Sequence, residues 1–268
     1  MKRLSEKSYW AKLYNPEGFN RYTGWRSLLS YSLQNFEYFR IIKKHLSKKD
    51  KTIIEVGCAP GSYLIKAHNK LGLTPYGVDY TENGQKLTQN NLSFNGIKKF
   101  EIFCSDVFDK KFQKTHEGKY DVVFSNGFVE HFDDFKKTIE SHVNLVRTGG
   151  KVVISIPNLL YFNKYLTIQE VNDICNLDTM ELDFIRNNLP SNLDIKYLGY
   201  YGGLLNLGVF FFRNPFLEFL RKVFFAGQRL ILEPIFIFLS YIGIRFNWKY
   251  SSPAIVLVAV KKKNEKKA

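Results

Sequence analysis

A chain of 268 residues, 45% of them hydrophobic and 24% charged, can bury one full core built from its own layers of helix and strand. Its three cysteines, Cys58, Cys104 and Cys175, are too few and too scattered for a disulfide framework or a zinc site, so we expect a reducing compartment and no metal centre. The formal net charge of +14 favours acidic substrates, anionic lipid or nucleic acid as partners, without choosing among them.

The amino terminus, MKRLSEKSYW, has no apolar run behind its charges, so we expect no secretory signal peptide. No uncharged apolar stretch approaches the roughly 18 residues that a membrane-spanning helix needs. We therefore expect a cytoplasmic protein, with peripheral contact on the cytoplasmic face of a membrane left open.

The first predicted element is an amphipathic helix over residues 27–46, where apolar side chains recur at helical spacing. Apolar or β-branched runs then alternate with helical stretches, which predicts a parallel sheet covered on both faces. The predicted strands span 52–56, 75–78, 100–104, 120–124 and 151–156, and the predicted helices span 63–71, 82–92 and 135–146. Gly149 and Gly150 indicate a tight turn into the fifth strand.

Beyond Asn158 the pattern changes. Residues 167–170 and 178–181 each begin with a capping residue that is followed three positions later by glutamate, which is typical of helix starts. Sixth and seventh strands are predicted over 192–201 and 254–260. The apolar, aromatic insertion between them, residues 202–248, predicts two helices separated near Gly227 and Pro234.

The segment EVGCAPGSYL, residues 55–64, lies after the first strand, where open parallel sheets bind ligands. Gly57 and Gly61 let the backbone approach a ligand closely, and they flank Ala59. A dinucleotide fingerprint is G-x-G-x-x-G, whereas this turn is G-x-A-x-G with Glu55 ahead of it. A carboxylate beside a diphosphate is unfavourable, so an ammonium group is the better partner for Glu55.

Two further acids end neighbouring strands. Asp79 follows the glycine turn by about 20 residues, where an acidic side chain can accept hydrogen bonds from ribose hydroxyls. Asp106 ends the third strand at the same edge of the sheet. Pro60 is suited to the first position of the intervening helix.

Five segments in order, IIEVGCAPG, YGVDY, FCSDVFD, YDVVFSNGFVEHF and GGKVVISIPN, carry a resemblance over roughly residues 51–158. The chain resembles the class I S-adenosylmethionine-dependent methyltransferases. The resemblance implies S-adenosyl-L-methionine as cofactor and an α/β, Rossmann-like, seven-stranded, mostly parallel sheet with helices on both faces. This chain adds an N-terminal helix and an apolar helical insertion before the last strand.

On this basis the chain divides into four parts. We expect an N-terminal helical cap over 1–48 and an S-adenosylmethionine-binding core over 49–201. The apolar helical insertion covers 202–250, and the last strand with its basic tail covers 251–268.

The resemblance implies that the glycine turn surrounds the methionine end of the cofactor. The residues concerned are Glu55, Gly57, Cys58, Ala59 and Gly61, with Glu55 serving the amino group. The family most often has glycine where this chain has Ala59, so we expect a slightly displaced turn.

The resemblance also assigns the nucleoside end. Asp79 would hold the ribose hydroxyls, and Tyr80 would lie beside the adenosine. Asp106 would face the adenine amino group, and Val107 would face its ring.

The end of the fourth strand faces the reacting methyl group in this family. Asn126 and Gly127 would line the cofactor there. A hydroxyl acceptor benefits from a base, and His131 and Glu130 follow at the same edge. The ordinary pKa of histidine suits that task, although a structural role for His131 at a helix entrance remains open.

We expect O-methylation of a small molecule or a saccharide, including a lipid-linked one. Nucleic-acid methylation is a third choice, because the chain lacks Asn/Asp-Pro-Pro-Tyr-like residues after the fourth strand and the Lys-Asp-Lys-Glu set of RNA ribose methyltransferases. The second choice is a catalytically silent module that serves as a membrane or partner platform.

Additions to the sheet set acceptor specificity in this family, so we look for it in residues 1–46, 159–189 and 202–248. The apolar insertion has three interpretations: a lid over an acceptor pocket, a core-packing or subunit layer, or a patch lying against anionic lipid. The sequence leaves the oligomeric state open.

Overall fold

The computed structural model of the chain describes residues 1–14, 33–165, 173–203, 212 and 214–263. Its centre is a seven-stranded sheet in the order β3-β2-β1-β4-β5-β7-β6. The strands are β1 Thr52–Val56, β2 Thr74–Asp79, β3 Glu101–Cys104, β4 Tyr120–Asn126, β5 Val146–Pro157, β6 Leu193–Tyr201 and β7 Ala254–Lys261. Within this sheet β7 is the one strand that runs antiparallel to the other six. This is the predicted architecture, and it is confirmed.

Helices cover both faces of the sheet. They are α1 Lys7–Leu13, α2 Leu33–His45, α3 Ser62–Leu71, α4 Glu82–Phe94, α5 Lys110–His116, α6 Phe135–Leu145, α7 Leu182–Asn187, α8 Pro215–Gly227 and α9 Glu233–Tyr241. One apolar core joins α2 and α3 to the sheet, and a second joins α5, α6 and α7 to the opposite face. The central strands are therefore buried on both sides, which explains their nearly continuous apolar runs.

Three local predictions were wrong. Gly149 and Gly150 lie inside β5, which begins at Val146 and shifts register against β4 at this point. Pro60 precedes the N-cap residue Gly61 and is not the first helical residue. Residues 178–181 lie in and just after a 3-10 turn, and the helix that follows, α7, is capped by Glu181.

The insertion forms one helix instead of two. Residues 215–241 are helical throughout, because a π-helical turn, Gln228–Leu232, joins α8 to α9. By length and composition alone this helix suffices to cross a membrane, with a mean hydropathy of 1.5. The expectation that no apolar stretch is long enough to span a membrane counts uncharged runs only, whereas this helix is long enough when a few charged residues are allowed. Residues 15–32, 166–172, 204–211, 213 and 264–268, which include parts of the predicted 27–46 and 167–170 helices, lie outside the described residues.

Charged groups at the amino ends of the central strands form a closed network. The Asp50 side chain is fully buried and pairs with Lys151 at 2.6 Å and with Arg147 at 3.0 Å. Asp121 accepts hydrogen bonds from the amides of Lys51 and Thr52 at the start of β1. This network ties β1, β4 and β5 together at the end of the sheet away from the strand termini that bear the predicted site.

Candidate cofactor site

A cleft of about 680 Å³ opens at the carboxyl ends of β1, β2, β3 and β4. Nine of the predicted residues line it: Gly57, Ala59, Asp79, Tyr80, Asp106, Val107, Asn126, Gly127 and His131. The sheet therefore brings together side chains from four strand ends, as the topology of a parallel sheet requires.

Four predicted residues, Glu55, Cys58, Gly61 and Glu130, lie behind the cleft wall. The Cys58 thiol is buried against Gly77 and lies 3.8 Å from the Thr88 hydroxyl, so its side chain is a packing group. Gly61 is left-handed, with φ of 86°, and caps α3.

The turn after β1 requires glycine at position 57. Its φ is +71°, and an added Cβ would lie 2.6 Å from Cδ2 of Phe128. The Gly57 amide donates to the carbonyl of Val78 at 2.9 Å, which holds the turn against β2. The backbone thereby forms a floor to which a side chain cannot be added without displacing the Phe128 ring.

Glu55 is one of two predicted residues whose buried carboxyl has an oxygen without a partner in the described part of the chain, the other being Glu130. Glu55 is 4% exposed, and its Oε2 atom has no hydrogen-bond partner among the described residues. Burial raises the pKa of its carboxyl well above the usual range, and neighbouring Asp79 raises it further. A buried oxygen of this kind favours a bound cation or a hydrogen-bond donor.

Asp79 is positioned by the start of α4. Its Oδ1 accepts hydrogen bonds from the Thr81 amide at 2.9 Å and the Thr81 hydroxyl at 2.6 Å. A Cβ on Gly84 would meet this carboxylate at 2.7 Å, so glycine there leaves room for it. Burial raises the pKa of Asp79, and the Thr81 hydrogen bonds oppose that rise.

An N-terminal strap, which we define as residues 1–14, covers the end of the cleft formed by Tyr80 and Asp106. Arg3 donates to Oδ2 of Asp106 at 2.6 Å and lies 4.8 Å from the centre of the Tyr80 ring. The strap pairs with Phe132 in an antiparallel bridge, and the Leu4 amide donates to the His131 carbonyl at 2.9 Å. Asp106, expected to face only an adenine amino group, therefore also anchors the strap.

Sequence reasoning missed the strap residues in the cleft wall, which are Arg3, Ser5, Trp10 and Tyr14. Arg3 and Asp106 are 103 positions apart in sequence, and no local pattern joins them. The one available signal was the unusual pairing of basic and aromatic residues in MKRLSEKSYW.

His131 has a defined tautomer. Its Nδ1 lies 2.8 Å from the carbonyl oxygen of Ile174, which can only accept, so Nδ1 carries the proton. Nε2 is left with its lone pair, 3.9 Å from Oε1 of Glu130. Burial lowers the pKa of the imidazole, and Trp10 contacts the ring edge-on at 5.0 Å between centroids. The ring is therefore neutral at pH 7 and can accept a proton at Nε2.

Glu130 is a poor base by comparison. It is 1% exposed, its Oε2 has no partner among the described residues, and burial raises the pKa of its carboxyl to about 8. At neutral pH it is mostly protonated, and it lies behind Gly127.

Comparison with known proteins identifies the family to which the chain belongs. The profile of a family described as "Methyltransferase domain" matches residues 47–193, more than half of the chain. The chain belongs to the class I S-adenosylmethionine-dependent methyltransferases. S-adenosylmethionine is accordingly the cofactor of this methyltransferase.

Three similar proteins illustrate the range of the family. The ubiquinone biosynthesis O-methyltransferase of Hydrogenovibrio crunogenus is 28% identical over 137 residues, a match covering 51% of this chain and 55% of the relative. This methyltransferase thus spans about half the length of that relative.

Two solved structures share its fold. Geranyl diphosphate C-methyltransferase of Streptomyces coelicolor A3(2) has a TM-score of 0.51 at 15% identity, covering 83% of this chain and 77% of that one. A chain from the complex of the Haloferax volcanii Trm112 methyltransferase activator with a methyltransferase has a TM-score of 0.57 at 12% identity, covering 99% and 100%.

The residues present fit S-adenosylmethionine. Glu55 provides a buried oxygen without a partner, which suits the ammonium of the methionine end. The bare floor at Gly57 is a surface that any Cβ would fill. Asp79 and Asp106 present carboxylates to the nucleoside end of the same cleft.

Proposed function

We propose that this methyltransferase transfers the methyl group to a hydroxyl of a small molecule or a saccharide, with a lipid-linked saccharide as the acceptor that best accommodates the apolar insertion. The observation that carries the proposal is that His131, a residue of the cleft wall, bonds a carbonyl through Nδ1 and so keeps the lone pair of Nε2. A neutral imidazole held by a carbonyl on its other nitrogen is suited to removing a hydroxyl proton.

S-adenosylmethionine supplies, when bound, a sulfonium methyl group that is open to in-line displacement. The chain's residues bind and orient. Glu55 holds the amino group, Asp79 the ribose hydroxyls and Asp106 the adenine end. His131 takes the acceptor proton at Nε2, while its Nδ1–H remains bonded to Ile174 and fixes the ring. Alignment of this kind is worth up to about 7 to 11 kcal/mol in well-oriented systems.

The substrates named for similar proteins support a small-molecule acceptor. These proteins include an O-methyltransferase of ubiquinone biosynthesis and a C-methyltransferase of geranyl diphosphate. The aromatic lining of the cleft, with Trp10, Tyr14, Phe128 and Phe132, suits an acceptor with an apolar part. Free thiols at Cys58, Cys104 and Cys175 are compatible with the cytoplasm as the place of reaction.

The test is methyl transfer from labelled S-adenosylmethionine into a cell extract that is then separated into lipid, glycan, small-molecule and macromolecular fractions. We expect label in the lipid, glycan or small-molecule fraction and at an oxygen atom. Label on nucleic acid would contradict the proposal and favour a nucleic-acid methyltransferase. No transfer by a chain that binds the cofactor would also contradict it and would favour a catalytically silent module.

The pH dependence identifies the base. If His131 is the base, the rate rises with pH through a pKa below 6.5 and is flat above neutrality, because burial lowers that pKa. If Glu130 were the base, the rising limb would lie near pH 8. His131→Asn keeps a donor near the Nδ1 position and lacks Nε2, so we expect a loss of about 100-fold or more in kcat with cofactor affinity retained.

A further inference from the structure

The helix over residues 215–241 has an inverted polarity. Its apolar side chains face outward, with Phe216 67%, Phe224 64%, Leu230 67% and Phe238 63% exposed. No residue of α8 is buried. A helix of a water-soluble domain turns its apolar stripe inward and its charges outward. A core-packing role would require the same, and α8 does the opposite.

Four charged side chains of the same helix, Glu218, Arg221, Arg229 and Glu233, are largely shielded. Glu218 and Arg221 form a 2.6 Å ion pair, and their side chains are only 14% and 12% exposed. Glu233 is 7% exposed at its side chain, pairs with Arg229, and accepts a hydrogen bond from the Leu33 amide at the start of α2. These four charges are therefore paired with one another, which leaves exposed apolar side chains and the exposed Lys222 on the outer face.

Hydrogen bonds hold the helix along the domain. Ser240 donates to Oε1 of Glu37 on α2 at 3.1 Å, and Arg40 of α2 donates to the Ser240 carbonyl. Glu37 also accepts from the Gly202 amide at 2.8 Å, just after β6. Because α2 packs on the sheet, these contacts favour a helix that lies flat beside the domain over one that crosses a bilayer.

The charge around this face complements anionic lipid. Residues 214–250 contain five basic and two acidic side chains, and both acids are paired with arginines of the helix itself. The Lys222 side chain is 67% exposed. Exposed Tyr241 ends the helix and exposed Trp248 and Tyr250 follow it, and such amphipathic rings settle at the headgroup level of membranes.

The face adjoins the edge of the sheet where the cleft opens. After α9 the chain returns to the carboxyl ends of β5 and β6, where the side-chain amide of Asn158 donates to the Lys249 carbonyl at 2.9 Å. The Gly203 amide donates to Oδ1 of Asn247 at 3.0 Å. The segment that follows the helix therefore lies at the same edge of the sheet as the cofactor cleft.

We propose that the outer face of residues 215–241 is a docking surface for an anionic phospholipid bilayer, with the helix lying in the plane of the interface and its apolar side chains in the acyl boundary. Apolar burial and lipid charge act together in such binding. The docking is independent of methyl transfer and goes beyond the proposed function, to which it adds a membrane as the source of an acceptor.

The experiment is flotation of the full chain with vesicles of phosphatidylcholine alone and of phosphatidylcholine with phosphatidylglycerol. We expect flotation with the anionic vesicles and much less with the neutral ones. The variant Phe216→Ser/Phe224→Ser/Phe238→Ser changes exposed side chains only, so it should fold and bind S-adenosylmethionine normally while its vesicle affinity falls at least tenfold.

A matched pair of variants tests the charge. Lys222→Gln/Lys249→Gln should weaken binding to anionic vesicles by roughly 30-fold, about fivefold for each lysine. Lys110→Gln/Lys111→Gln removes the same charge from α5 on the opposite face of the sheet and should change the affinity far less.

Three outcomes overturn the proposal. The wild-type chain fails to float with anionic vesicles, or the serine variant floats as well as the wild type. Alternatively, the wild type sediments as a dimer that the serine variant dissociates, in which case the face joins two copies of the chain. Cofactor binding by the same samples separates each of these results from a failure of the proposed function.

Discussion

The two ends of the sheet treat buried charge in opposite ways. At the amino ends of the central strands, Asp50 and Asp121 are paired with Arg147, and Asp50 also with Lys151. At the carboxyl ends, Glu55 and Glu130 are buried with oxygens that have no partner in the described part of the chain. In the first arrangement the pairing offsets the cost of burying the charges, whereas in the second that cost remains unless a ligand supplies the missing contact.

The largest expected effect is at the paired end. Asp50→Ala should lower the free energy of unfolding by about 3 to 5 kcal/mol, because it leaves Lys151 buried without its partner. Urea unfolding measures the change. Affinity for S-adenosylmethionine, measured at low temperature where the variant remains folded, should be unchanged. A loss below 1 kcal/mol would mean that this network is not structural.

Gly57→Ala should damage both stability and the site. The left-handed φ alone costs about 1 to 2 kcal/mol, and the new methyl group must displace Phe128. We expect S-adenosylmethionine affinity to fall at least tenfold by calorimetry. Gly72→Ala is the control, because Gly72 has φ of +70° with open space around it. Equal losses of cofactor affinity in the two variants would show that the turn at Gly57 has no specific role in cofactor binding.

Glu55→Gln should weaken cofactor binding without lowering the stability of the fold. The pKa of the folded carboxyl is raised, so its ionisation costs stability as pH rises above the ordinary carboxyl range, and the neutral amide removes that cost. The variant should unfold at the same or a higher urea concentration at pH 7.5. Its cofactor affinity should fall by about 1.5 to 3 kcal/mol, because a charge-assisted hydrogen bond is lost. A variant that is less stable than the wild type but binds the cofactor with normal affinity would contradict the contrast drawn between the two ends of the sheet.

The smallest effect is expected for Arg3→Ala. Its ion pair with Asp106 is about one third exposed, so unfolding should change by less than 1 kcal/mol. Stopped-flow dissociation of the cofactor should be faster, because the strap loses its contacts with Asp106 and Tyr80. Unchanged dissociation would show that the strap does not retain the cofactor.

The sheet and nine of the eighteen residues that line the cleft could be predicted, because they belong to local patterns, above all a buried strand followed by glycine or an acid at its carboxyl end. Asp79 and Asp106 are of this kind. Arg3 and Trp10 could not be found, because they reach the cleft through contacts with residues far along the chain, Asp106 and His131. Glu55 could be predicted as a charge at the turn, yet not as a group behind the cleft wall.

The insertion shows the same limit. Its composition predicted helices, whereas the single helix depends on a π-helical turn that carries the chain past Gly227 and Pro234. Which face looks inward was also beyond the pattern, since apolar residues predict burial by default. Only the contacts of Glu37 and Ser240 fix the inward side.

The central claim is that the acids at the carboxyl ends of the strands hold S-adenosylmethionine. Calorimetric titration of wild type and Asp79→Asn tests it most directly, because the amide preserves an acceptor for Thr81 while removing the charge offered to the ribose. We predict one cofactor bound per wild-type chain and an affinity at least tenfold weaker in the variant, with unfolding unchanged. No binding by the wild type, or equal affinity in the two proteins, would contradict the account.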